Sequence, residues 1–252
     1  MGGEIAFGVE FSRLRPLWRE AFGDGDEFLD LFEREAYSPE RTACILDGDM
    51  PLSALYWFDC ECEGERVAYL YAIATKKERR GEGLCRRLML AVHEHLRILG
   101  YVGCILVPAR EELFSFYSRL GYKSCVCIDE FEALAGDRAV DIRELSPEEF
   151  MRIRKGMLPS RAVIQEGACI DFLKNQAKFY TGPSYLLTAR KEGDRLFALE
   201  LLGDRRLASD ILCALRVSSG TFRSPGRSQK FAMHLALSNT SVPAEYFAFA
   251  FD

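Results

Sequence analysis

The densest chemistry in the chain lies at Lys76-Lys77-Glu78-Arg79-Arg80-Gly81-Glu82-Gly83. This stretch follows an apolar, strand-like run (AYLYAIAT) and precedes a long amphipathic segment that begins at Leu84. Residues 76–87 hold six basic side chains and two acidic ones, a local excess of four positive charges in a chain of formal net charge −5. Glycines let a backbone approach a ligand closely. Consecutive N–H groups in such a turn, joined by the first free N–H groups of a following helix, make an anion socket. Strand, basic glycine turn and helix therefore suit a phosphate site, although the same residues also suit a solvated surface turn. Two phosphate motifs are excluded. Gly-x-x-x-x-Gly-Lys-Ser/Thr is absent, and Arg86 stands where a dinucleotide fingerprint needs its third glycine. The acidic residue wanted about 20 positions further on is also missing, since the chain there runs into YVGCILV.

The elements that position this turn follow from periodicity. Leu14, Leu17, Trp18, Ala21 and Phe22, then Phe28, Leu31, Phe32 and Ala36, recur at helical spacing, so the first 35 residues predict two helices broken at Gly23-Asp24-Gly25. Residues 42–46 and 52–59 predict a hairpin around Asp47-Gly48, and residues 66–75 a third strand after Glu63-Gly64. Leu84, Leu88, Val92 and Leu99 mark the inner stripe of a helix ending at Gly100. Residues 101–107 predict a buried strand. Pro108 opens a helix with Leu113, Phe116, Tyr117 and Leu120 on one face and Gly121 at its end, and residues 122–128 predict one more strand. The polar run 132–138 predicts a boundary. Beyond it, residues 140–145 predict a strand, and Ser146-Pro147-Glu148-Glu149 a capped helix start. Helices are expected over 170–180 and 207–215, a hairpin over 185–190 and 196–202, and strands over 231–237 and 246–251. Arg223-Ser224-Pro225-Gly226-Arg227 is expected as a loop. The element order repeats, which predicts an α/β protein of two similarly folded halves, residues 1–135 and 136–252.

Arg80-Gly81-Glu82-Gly83-Leu84-Cys85 resembles the Arg/Gln-x-x-Gly-x-Gly/Ala signature of the GCN5-related N-acetyltransferase (GNAT) superfamily. The run LFSFYSRLGY resembles the family's later Phe-Tyr-x-x-x-Gly-Tyr/Phe signature, and the likeness covers about residues 1–130. It implies the GNAT fold, a mixed and largely antiparallel sheet flanked by helices. It also implies acetyl-coenzyme A as co-substrate, its diphosphate held by Arg80, Gly81, Glu82, Gly83, Leu84 and Cys85. The pantetheine would lie along the backbone of Ile73, Ala74 and Thr75. One departure is Cys85, which replaces the last small residue. The tandem layout resembles the enhanced-intracellular-survival type of acetyltransferase. Gly203-Asp204-Arg205-Arg206 stands where the second half would carry its own signature, so that half is expected to have lost coenzyme binding. It would wall the acceptor pocket or form a contact between copies in a homo-oligomer.

The reaction so implied is attack of a free amine on the thioester in a ternary complex. Its thiolate leaving group, with a thiol pKa near 8.5 by analogy with cysteine, needs an acid still protonated at neutral pH, and tyrosine meets that need. The resemblance points to Tyr117, which also lies on the apolar stripe of its helix and suits the core equally by periodicity. Asp24, Asp26, Glu27, Asp30, Glu33 and Glu35 set six acids against Arg34, which suits either a cationic acceptor or a solvated helix face. Related tandem enzymes place their terminal carboxylate in the active site, which makes Asp252 a further candidate. The rival to an enzyme is a non-catalytic module that binds acetyl-coenzyme A as a sensor or scaffold. His93, His95 and His234 form no legible catalytic arrangement.

The remaining composition bounds the class. A chain of 252 residues, 48% apolar and 28% charged, can bury a full core in one or two domains. Its acidic balance argues against a duplex nucleic-acid binder. No run of 18 uncharged apolar residues occurs, and MGGEIAFGVEF lacks the features of a signal peptide, so a cytoplasmic address without membrane contact is expected. Gly2 lacks the context for myristoylation. Nine cysteines is an odd, scattered set. The pairs Cys60/Cys62 and Cys125/Cys127 are spaced by one residue, which favours reduced thiols on one strand face over a metal knuckle, and no metal is expected.

Overall fold

The computed structural model describes residues 3–251. Contacts divide the chain into two compact units, residues 1–123 with 233–243, and residues 124–232 with 244–252. These bounds differ from a cut at 135/136, because the run 129–134 alternates in burial as a strand and a late segment returns to the first unit.

The first unit opens with β1 (Glu4–Phe7), a four-residue strand that helical spacing does not reveal. Helix α1 (Phe11–Phe22) buries Leu14, Leu17 and Trp18 and stops at Gly23, whose φ of 76° is left-handed. Helix α2 (Asp26–Glu35) buries Leu29 and Phe32. An antiparallel meander follows: β2 (Thr42–Asp47), β3 (Met50–Cys62) and β4 (Glu65–Thr75). Helix α3 (Leu84–Ile98), strand β5 (Gly103–Leu106) and helix α4 (Glu111–Ser118) complete the sequence.

Strand β3 is buried on both faces over most of its length, as a central strand must be. One face packs on Leu84, Leu88, Val92 and Leu96 of α3 and on Tyr117 and Tyr122. The other meets an aromatic layer in which Phe11, Trp18, Phe32, Tyr37, Tyr56 and Tyr71 pack in edge-to-face, tilted and stacked pairs.

Two irregularities shape β4. Opposite Ala54 and Tyr56 the register shifts from Ala74 to Tyr71, so β4 bulges there, with Ala72 at φ 50°. A non-glycine residue in this region costs about 1–2 kcal/mol, which the flanking ladder must hold. Strand β5 pairs with β4 in parallel only over Val67–Tyr69 and Gly103–Ile105. From Leu70 onward the β4 edge facing away from β3 has no strand partner among the described residues, and a slot opens.

The second unit contains β6 (Lys123–Leu134), β7 (Arg143–Glu144), α5 (Pro147–Met157), β8 (Ile164–Gln165), α6 (Ala168–Leu173), β9 (Lys178–Gly182), β10 (Tyr185–Glu192), β11 (Arg195–Gly203), α7 (Ala208–Leu215), β12 (Ser219–Pro225) and β13 (Gln229–Ala236). Met233–Ala236 of β13 belong to the first unit, antiparallel to β5. The capping box at Ser146 and Glu149 forms as expected. A meander of β9, β10 and β11, then α7, then β12 parallel to β11, repeats the order of β2 through β5.

Four segments differ from expectation. Residues 170–180 divide into the end of α6 and the start of β9. The strand expected over 140–145 shrinks to β7. Residues 223–225 close strand β12 rather than lying in a loop. Residues 246–251 form no strand, since Phe249 instead exchanges both backbone hydrogen bonds with the Gln165 side chain. The core of this unit also encloses Arg154, bidentate on Glu200 at 2.7 and 2.9 Å, with Tyr246 donating to the same carboxylate at 3.0 Å.

Buried His93 and His234 link stability of the first unit to pH. Burial pushes each down to about 4. Unfolded histidine titrates near 6.5, so between these values the unfolded chain binds more protons and stability falls as pH falls. The expected loss is about 2 kcal/mol per histidine at about pH 5 relative to pH 7. Urea unfolding at both pH values measures it, and an unchanged midpoint would contradict neutral burial.

Candidate active site

The last residues of β4 deliver the chain to the basic turn. Lys76 N–H closes the ladder on the Leu52 carbonyl at 2.9 Å, and Lys77–Arg79 make one 3-10 turn. Gly81 and Gly83 follow at φ 87° and 77°. A Cβ built on either meets nothing within 4 Å, so backbone conformation rather than crowding calls for glycine. Gly83 caps α3, whose first turn carries no acidic residue. The first backbone bond of this helix runs from Arg87 N–H to the Gly83 carbonyl at 3.0 Å. The N–H groups of Leu84, Cys85 and Arg86 are therefore left without a helical acceptor, at the positive end of a 15-residue helix.

Both carboxylates of the turn are engaged. Glu82 pairs with Arg79 at 2.8 Å and Glu78 with Lys76 at 2.8 Å. Lys77, Arg80, Arg86 and Arg87 then have no carboxylate partner among the described residues. Arg80 is aimed by its Nε bond to the Thr75 carbonyl at 3.2 Å. Glu20 of α1 accepts from Lys77 N–H at 2.7 Å and ties the turn to that helix.

The strand residues sort by alternation. The Ala74 carbonyl accepts from Ser53 Oγ at 2.9 Å and so faces β3. Ile73 and Thr75 accordingly turn their backbone groups away from β3, the Thr75 carbonyl toward Arg80. Leu84 is buried in the core, so only its backbone is offered at the turn. Cys85 is half-buried, and burial pushes its thiol up to about 11, which keeps it uncharged.

Tyr117 lies on α4 with its ring edge-on to Phe116 and Tyr122, at centroid distances of 5.2 and 5.8 Å. It is 6% exposed, yet its hydroxyl makes no hydrogen bond to any described residue. Burial raises its pKa well above the usual phenol range. The next contribution comes from Cys85, which places the phenol in the electrostatic environment of the α3 start. Residues 73–75, 80–85 and 117 thus all lie in the first unit.

Other expectations resolve differently. Arg15 meets Asp26 at 2.8 Å, Asp30 at 2.6 Å and Glu33 at 3.8 Å, and Arg19 also pairs with Asp26. Asp24 and Glu27 keep no ion pair among the described residues, and partial burial raises the Asp24 pKa. At the corresponding turn of the second unit, Asp204 accepts from Arg206 N–H at 3.0 Å and from its guanidinium at 2.9 and 2.8 Å. Those bonds draw the Asp204 carboxyl down to about 2. The chain's own carboxylate thus occupies one backbone N–H and the guanidinium of this turn. None of the nine cysteines is disulfide-bonded, and no cluster of three metal-ligating residues occurs among the described residues. No helix among them is long and apolar enough to cross a membrane. Asp252 lies outside the described residues.

A family profile described as an acetyltransferase (GNAT) domain matches residues 9–125. That part of the chain belongs to the GNAT superfamily. A GCN5-related N-acetyltransferase from Anabaena variabilis superposes with a TM-score of 0.72 at 13% identity, over 93% of this chain and 73% of that one. Eis1 from Mycobacterium abscessus gives 0.69 at 12% identity, over 93% and 74%. A tandem GNAT protein from the clavulanic acid biosynthesis pathway gives 0.56 at 9% identity, over 94% and 99%. At such identities these likenesses concern the fold, which is the tandem GNAT arrangement. No curated protein matches the chain.

Ser53, Glu20 and the bulge at Ala72 support the candidate site without a signal in the spacing of residues. Lys77 and Glu20 are 57 positions apart.

Proposed function

We propose that the chain is an acetyl-coenzyme A-dependent N-acetyltransferase acting on a primary amine, with its active site in the first unit. The observation that carries this reading is the Tyr117 phenol, whose ring is buried while its hydroxyl bonds no described residue and is not among the enclosed polar atoms. Its oxygen is thus left free to donate to a ligand beside the N-terminal turn of α3.

Gly81, Gly83 and the free N–H groups of residues 84–86 take the diphosphate, assisted by Arg80. Glu82 serves through its backbone, while its carboxylate holds Arg79. Ile73 and Thr75 bond the pantetheine amides, as a strand edge binds an extended peptide, and Ala74 keeps the edge in place through Ser53. The amine nitrogen attacks the thioester carbonyl carbon. A C–N bond forms, the C–S bond breaks, and the departing sulfur takes the Tyr117 proton. The nitrogen, cationic after attack, loses its proton to water, and water returns a proton to the Tyr117 phenolate, restoring the acid.

The acceptor we favour is a small cationic amine, drawn by Asp24 and Glu27. Arg15 and Arg19 leave that face less negative than its six acids suggest. The second unit, residues 124–232 with 244–252, is degenerate and catalytically silent in this reading, supported by Asp204 engaging Arg206 at the corresponding turn.

A panel of amines assayed by release of free thiol tests the proposal. One thiol per acetylated amine is expected, and coenzyme binding without release for any amine would point to a sensor instead. The rate should rise with pH as the amine loses its proton. It should not fall again below about pH 10, because buried Tyr117 keeps its own proton. A descending limb centred below about pH 9 would contradict Tyr117 as the acid.

A further inference from the structure

We propose that His93 is a positioning residue for the Tyr117 acid, acting through Tyr122. This rests on the reading of Tyr117 given above. His93 sits on the inner face of α3, 3% exposed, and its Nε2 lies 2.9 Å from the Tyr122 hydroxyl. Tyr122 is 2% exposed, and His93 is the hydrogen-bond partner of its hydroxyl among the described residues. Helix α3 therefore holds the far end of the Tyr122 ring. The near edge of that ring stands against Tyr117 at an interplanar angle of 65°. Because the Tyr117 hydroxyl has no partner of its own, packing alone sets its direction, and Tyr122 is one wall of that packing. The other restraint is the helix end, where the N–H of Tyr122 donates to the Tyr117 carbonyl at 3.1 Å.

The arrangement has a consequence for register. His93 rides on the same helix that ends in the anion socket, nine residues along from Leu84. A helix holds such positions at about 1.5 Å per residue. One rigid rod thus sets the place of the diphosphate at one end and, through Tyr122, the place of the acid further along. Burial and nearby Arg97 keep His93 uncharged at neutral pH, so it acts as a hydrogen-bonding partner and not as a charge.

A mutant cycle tests this. Tyr122→Phe and His93→Leu should each lower kcat about tenfold, with KM for acetyl-coenzyme A changed less than about twofold. His93→Gln, which retains a polar reach toward Tyr122, should recover most of the loss. In a Tyr117→Phe background the same substitutions should change kcat less than about twofold. Equal losses in both backgrounds, or no loss in the wild-type background, would overturn the proposal. Tyr122→Phe removes a single oxygen, so it serves even where His93→Leu fails to fold. Full activity in Tyr117→Phe alone would instead defeat the reading of the acid, a result distinct from additive losses.

Discussion

Tyr117→Phe should lower kcat about 100-fold or more, the scale of a lost general acid, while coenzyme affinity changes less than about twofold. The substitution removes one hydroxyl and keeps the ring that packs against Phe116 and Tyr122. The hydroxyl bonds no described residue, so its loss should leave the unfolding midpoint unchanged or slightly raised. A core tyrosine with a bonded hydroxyl would behave in the opposite way, losing stability and keeping activity. Steady-state kinetics and thermal unfolding of the same preparation separate the two. Unchanged turnover would remove Tyr117 from the chemistry.

Gly83→Val should weaken acetyl-coenzyme A binding about 100-fold. At φ 77° a β-branched residue is a severe outlier, so the backbone must rotate toward negative φ. That rotation turns the N–H groups at the start of α3 away from a common point. The expected loss corresponds to one or two charge-assisted hydrogen bonds at about 1.5–3 kcal/mol each. Space is not the cause, since a side chain there meets nothing within 4 Å in the free protein. Turnover at saturating coenzyme should suffer far less than affinity, the reverse of Tyr117→Phe. Equilibrium titration reads the effect, and wild-type affinity in the variant would show that the turn holds no phosphate.

How much of this is legible in the sequence depends on range. The turn at 80–85 and the helix around Tyr117 are local patterns, in which charge, glycine and spacing act within a dozen residues. The features that make them a site are long-range. The slot beside Ile73 and Thr75 exists because β5 leaves β4 after Tyr69 and because β4 bulges at Ala72. Neither strand alone carries that information. Spacing places the six acids of residues 24–35 on the chain but not Arg15, which gathers three of them from α1. The run 246–251 has the apolar character of a strand, yet Gln165 satisfies its backbone and no ladder forms. The histidines give no motif, and only the fold brings His93 to Tyr122.

The most direct test of the central claim is calorimetric titration of acetyl-coenzyme A into the wild-type chain. The account predicts saturable heat, one site per chain, and a Kd of about 1–100 μM. The single stoichiometry follows from the open socket at Gly83 and from the second unit being read as silent. Absence of heat at about 1 mM coenzyme, or two equivalent sites, would contradict it.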